Sequence, residues 1–108
     1  AVSYALCVAE VAEQLAALGV AADALYVSSA GATGAGVALG KALLGWTCPA
    51  RLICPLHWPW HIPTRTAEDA NAAAERMGLP HRLAAADVDA DESYIAPGYG
   101  VASPAGRE

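Results

Sequence analysis

The sequence predicts an α/β fold: a partial parallel sheet flanked by helices. Three observations predict it. Segments with helical spacing alternate with short apolar runs along the chain. One of those runs leaves through small residues straight into a second helical segment, Val27 to Gly36. The 108 residues are 56% hydrophobic and 16% charged, and that apolar content excludes a disordered chain. The length fits one partial α/β domain, 1–108, and not two.

The elements follow in order. Residues 3–18 read as a helix: Val8, Val11, Ala12, Leu15 and Leu18 recur at helical spacing, with Glu10, Glu13 and Gln14 between them, and Gly19 stops it. After Asp23, the run Ala24–Val27 is consistent with a buried parallel strand. Ser28 to Thr33 is a small-residue loop. Residues 34–44 are apolar nearly all round, which suits a helix buried against a sheet, ended by Gly45. Arg51–Cys54 reads as a second strand. Pro55, Pro59 and Pro63 exclude regular structure between them. Thr66 is placed to cap a third helix with Glu68 and Asp69 in its first turn. Ala70, Ala73, Ala74 and Met77 form its apolar stripe, and Gly78 with Pro80 ends it. A short strand is expected within 87–95, followed by the turn-rich loop Pro97–Gly100. Three strands make a thin sheet with exposed edges, and an all-parallel sheet normally has both faces covered. The chain also begins inside a helical pattern and stops after a loop, so it is expected to lack neighbours.

Composition excludes several functions. A net charge of −5 gives no electrostatic reason to bind nucleic acid or an anionic membrane. No apolar run reaches the length of a membrane span, and Ala1–Tyr4 has no basic segment, so no signal peptide is expected. Cys7, Cys48 and Cys54 are an odd number, which fits free thiols in a reducing cytoplasm better than a disulfide framework. Cys48, Cys54, His57 and His61 do not have the spacing of a structural zinc site, so no metal is expected. The acidic run Asp87, Asp89, Asp91, Glu92 lacks the EF-hand pattern and reads as a solvated turn. Trp46, Trp58 and Trp60 among prolines read either as a binding surface or as weakly constrained sequence.

Val27–Gly36, VSSAGATGAG, carries the chemistry. A strand that turns through small residues into a helix N-terminus presents amides without helical partners, and the helix dipole favours an anion there. Gly31 and Gly34 let the backbone come close to an oxygen, and Thr33, Ser28 or Ser29 can donate a hydroxyl. The stretch is neither a Walker loop nor a GxGxxG fingerprint. The alternative is a tight turn that needs small residues for packing.

Residues 11–36, VAEQLAALGVAADALYVSSAGATGAG, resemble a segment of the D-cysteine desulfhydrase / 1-aminocyclopropane-1-carboxylate deaminase family, in which an AEQ-containing helix leads to a strand and an SGGTxAG loop. Ala30, Gly31, Ala32, Thr33, Ala35 and Gly36 fall on that motif. Tyr94–Val101, YIAPGYGV, is similar to the family's Y(V/I)GPGYGVP stretch. The resemblance implies an internal piece of a fold type II pyridoxal 5'-phosphate enzyme of the tryptophan synthase β superfamily. It implies that Ala30, Gly31, Ala32 and Thr33 hold the cofactor phosphate and that Tyr99 stands as a catalytic residue near a small amino-acid substrate. The implied reaction is elimination or deamination; from D-cysteine the products are pyruvate, ammonia and sulfide. It also brings a homodimer of the full-length family into consideration.

Two departures stand out. Ala30 and Ala32 replace the family serine and second glycine, which weakens the expected phosphate site. The family's imine-forming lysine has no counterpart. The sole lysine, Lys41, follows Thr33 by eight residues, about 12 Å along a helix and behind the phosphate site. The chain is therefore expected to be inactive alone. A non-catalytic module for a phosphate ligand and a truncated product are the alternatives.

Overall fold

A computed structural model describes residues 1–107. Its elements are α1 (Val2–Leu18), β1 (Leu25–Ser28), α2 (Ala32–Leu44), β2 (Ala50–Ile53), α3 (Ile62–Arg76), a single 3-10 turn (Ala85–Asp87), β3 (Asp89–Asp91) and α4 (Pro104–Arg107). Glycine ends the first two helices. Gly19 and Gly45 adopt φ of 67° and 64°, and their amides donate to Ala16 and Ala42. Val20 and Trp46 then donate to Leu15 and Lys41, which completes the paired bonds of a Schellman stop.

The three strands form one parallel sheet in the order β1-β2-β3. Leu25 stands opposite Ala50, and Arg51 opposite Asp89. Successive right-handed crossovers in one direction place their helices on one face. There α1, α2 and α3 form a layer whose core is Ala5, Ala35, Leu39, Ala70, Ala73 and Ala74. Alanine and glycine bring α1 and α2 close. A Cβ at Gly40 would lie 2.8 Å from Val8 Cβ and 2.9 Å from the Ala5 carbonyl oxygen, and one at Gly36 would collide with the Ala1 carbonyl. Between helices and sheet, Leu52 packs with Ala67 and Val88 and is 1% exposed.

The opposite face of the sheet is open. Tyr26, Arg51 and Asp89 share one row there; Tyr26 is 70% exposed and Arg51 Nε lies 3.1 Å from Asp89 Oδ2. This differs from the expectation of a strand buried on both faces. A second helical layer needs the strand order to reverse, and the described strands run in one direction only.

Helix α3 also departs from expectation. It starts at Ile62, so Thr66 is a buried residue of its second turn and not its cap, and its first turn carries no acidic residue. Pro63 lies in that first turn, where the missing amide has no helical partner to lose. Beyond the helix, the Asn71 side chain both donates to Leu83 O and accepts from Leu83 N, at 3.0 and 2.7 Å. One amide thus aligns the connector into β3. Among the described residues no helix is long and apolar enough to cross a membrane.

Candidate functional site

Open α/β sheets bind ligands outside the carboxyl ends of their strands where the strand order reverses; this sheet shares the end but has no reversal. Here β1 ends at Ser28, and the Ser29 amide still donates to Ile53 O at 3.1 Å, which carries the ladder one residue into the loop. The buried Ser29 hydroxyl oxygen then accepts from two glycine amides, Gly31 N at 3.2 Å and Gly34 N at 2.9 Å. A serine that caps its own following turn is a local bond of the kind that fixes helix starts. Gly31 is the N-cap residue, with φ −140° and ψ −144°, and its carbonyl accepts from Ala35 N at 3.2 Å.

The four loop residues singled out by sequence thus have different roles. Ala30 is buried with Cys54, Ile62 and Ile95, so its methyl serves packing. The Gly31 amide is satisfied internally. The Ala32 and Thr33 amides have no acceptor among the described residues and face the helix N-terminus. Exposed Ala32 opens on a cleft of about 360 Å³ that also holds Ser3, Asp69 and Arg76. Thr33 lines a separate apolar cleft of about 210 Å³ with Tyr4, Val8, Leu25 and Val37. Of the donors expected from Ala30–Thr33, the Gly31 amide is therefore withdrawn; the Ala30 amide also has no acceptor among the described residues, but its residue is buried, which leaves Ala32 and Thr33 at the helix start. Ser29 is the residue whose role sequence reasoning missed. Its signal is a hydroxyl two residues before the N-cap glycine.

Tyr99 lies on the loop 94–103, whose ends are closed by Ser103 Oγ donating to Tyr94 O at 3.0 Å. Packing of Ile95 with Ala30 brings this loop to the same end of the sheet as Ser29–Thr33. The Tyr99 ring itself is 73% exposed. The two stretches that carry the family resemblance are therefore neighbours, while the Tyr99 side chain stands in solvent.

The other residues weighed are placed as follows. Cys48 precedes β2 and buried Cys54 follows it, so the strand holds the two thiols at opposite ends. Among the described residues no three His, Cys, Asp or Glu side chains gather as a metal site. Burial, with a smaller contribution from Glu92 and Asp91, pushes the Cys54 thiol up to about 11. Hydrogen bonds from the Ser93 hydroxyl and amide hold Asp91 below the usual carboxylate range. Trp58 and Trp60 stack with ring centroids 4.7 Å apart, and Arg65 lies 5.0 Å from the Trp60 centroid. Lys41, in the last turn of α2, is at the far end of that helix from the loop. Compared with known proteins, the chain matches no family model and no curated protein.

Proposed function

We propose that the chain is the phosphate-holding part of a pyridoxal 5'-phosphate-dependent lyase or deaminase of a small amino acid, of the D-cysteine desulfhydrase type, working in the cytoplasm with its thiols reduced. The observation that carries this reading is the pair of unpartnered amides, Ala32 and Thr33, at the start of a 13-residue helix on the carboxyl end of a parallel sheet. The nearness of the Tyr94–Val101 stretch, through Ile95 against Ala30, adds support.

The residues fit one end of the cofactor only. Ala32 N and Thr33 N would hold phosphate oxygens, with the helix dipole behind them. Ser29 keeps Gly31 N and Gly34 N for itself, so fewer donors remain than the motif implies. The sole lysine sits at the other end of α2 and cannot reach the same group. When bound, the cofactor supplies the electron sink for elimination. This chain's residues bind and orient; they contain no lysine to start the reaction, and the chain alone is inactive. The missing lysine equally favours a second reading, a non-catalytic module for a phosphate ligand.

Titration with pyridoxal phosphate, pyridoxal and inorganic phosphate tests both readings. Ala32→Pro deletes one donor at a helical position that accepts proline. It should weaken saturable pyridoxal phosphate binding about tenfold or more with the circular dichroism unchanged, while Lys41→Ala should leave binding intact. Affinity unchanged in Ala32→Pro, or lost with Lys41, rules out the loop. Equal affinity for inorganic phosphate and pyridoxal phosphate favours the module over the enzyme part.

A further inference from the structure

The sheet has a second recess at its amino-terminal end, remote from the loop. It measures about 440 Å³ and is lined by Lys41, Trp46, Leu52, Leu83, Asp87 and Val88, among others. That volume lies in the range of small-molecule sites, about 300–1,000 Å³. Leu52 and Val88 lie behind it and are almost wholly buried, so the apolar surface open to a ligand comes from half-buried Trp46 and Leu83, within a lining that is mostly polar. Its charged groups are incompletely paired. The ion pairs among the described residues are Arg51 with Asp89, His57 with Glu92 and Arg65 with Asp69, so Lys41 has no carboxylate within 4.0 Å. Asp87 Oδ2 accepts from Ala84 N at 2.8 Å, which leaves Oδ1 without a donor among the described residues. Asp89 also borders the recess, but its carboxylate is engaged by Arg51.

One cation without a carboxylate partner among the described residues and one half-free carboxylate therefore line the same recess, more than 4.0 Å apart. We infer that this recess binds a small zwitterion, with its carboxylate on Lys41, its ammonium on Asp87 and its short aliphatic body against Trp46 and Leu83. A simple anion meets repulsion from Asp87. A simple cation or a metal ion meets repulsion from Lys41. A neutral molecule with both charges satisfies both groups. This site is independent of the phosphate-loop proposal, because it shares no residue with the loop and lies at the other end of α2.

The single lysine makes the test direct. Isotope-labelled reductive methylation keeps the Lys41 charge and gives it one resonance beside that of the chain amine. ω-Amino acids of increasing length, from glycine upward, are titrated against carboxylates and amines of matched length. One member of the series should shift the Lys41 signal saturably and bind about tenfold more tightly than either single-charge control. Asp87→Asn keeps an oxygen for the Ala84 amide but removes the charge, and it should reduce the affinity to that of the matched carboxylate. In Lys41→Gln, the Trp46 indole resonance should no longer respond. No saturable shift with any length, equal binding of the matched carboxylate, or unchanged affinity in Asp87→Asn would overturn the inference.

Discussion

Ser29 shows what a single hydroxyl does to a loop. Its oxygen holds two amides that the small-residue pattern alone leaves free. The sequence shows a strand, a glycine turn and a helix start, but not which way the serine rotamer points. Both outward donation and inward acceptance satisfy the same pattern. Lys41 was easier to read, because helical rise alone separates it from Thr33. At the same scale, Cys54 makes a pH prediction. Its thiol is 1% exposed and titrates near 11 instead of its ordinary 9.0, because burial disfavours the thiolate. The folded chain thus holds this proton more tightly than the unfolded chain. The resulting stability is complete below pH 9 and is lost as pH rises toward 11, by at most a few kcal/mol. Urea unfolding followed across that range should show the decline, and Cys54→Ala should flatten it. A slope that persists in Cys54→Ala means that another group titrates.

Among the elements, α1 and α2 pack most closely, and glycine is the cause. Gly36 and Gly40 lie one helical turn apart on the face of α2 that meets α1. Gly40→Ala gains roughly 1 kcal/mol of helix propensity but forces a methyl against Val8 and Ala5, where overpacking costs about 1–3 kcal/mol. Net destabilisation is expected in denaturant unfolding. Gly31→Ala meets no atom within 4 Å, but it exchanges an N-cap glycine for the poorer alanine, so a loss of about 1 kcal/mol is expected there without any overpacking. A Gly40→Ala chain as stable as the parent would show that the helices slide apart at no cost. The helix over 34–44 was legible because its apolar residues surround it. The start of α3 was not, because Pro63 normally signals a break and is tolerated only in a first turn. The one-sidedness of β1 was hidden for a similar reason: Tyr26 is both a good strand residue and tolerant of water.

At the scale of the molecule, alternation of helix and strand was enough to give the α/β class, and direction of crossover decided the rest. With all three large helices on one side, the outer edges of β1 and β3 and one sheet face remain uncovered. Unpaired edges template association. Sedimentation velocity is expected to show concentration-dependent self-association, reduced in Tyr26→Lys without loss of helix signal. A strictly monomeric parent chain would refute this. The radius of gyration, 14.3 Å, exceeds the roughly 13 Å usual for this length. The uncovered face has a calorimetric consequence as well. Surface that is already wet in the native state releases nothing on melting. The heat-capacity increment and the denaturant m-value should therefore be small for a chain of this length. With less enthalpy absorbed at the midpoint, the thermal transition becomes broad, and the native state gives way over a wide span of temperature instead of at a sharp threshold.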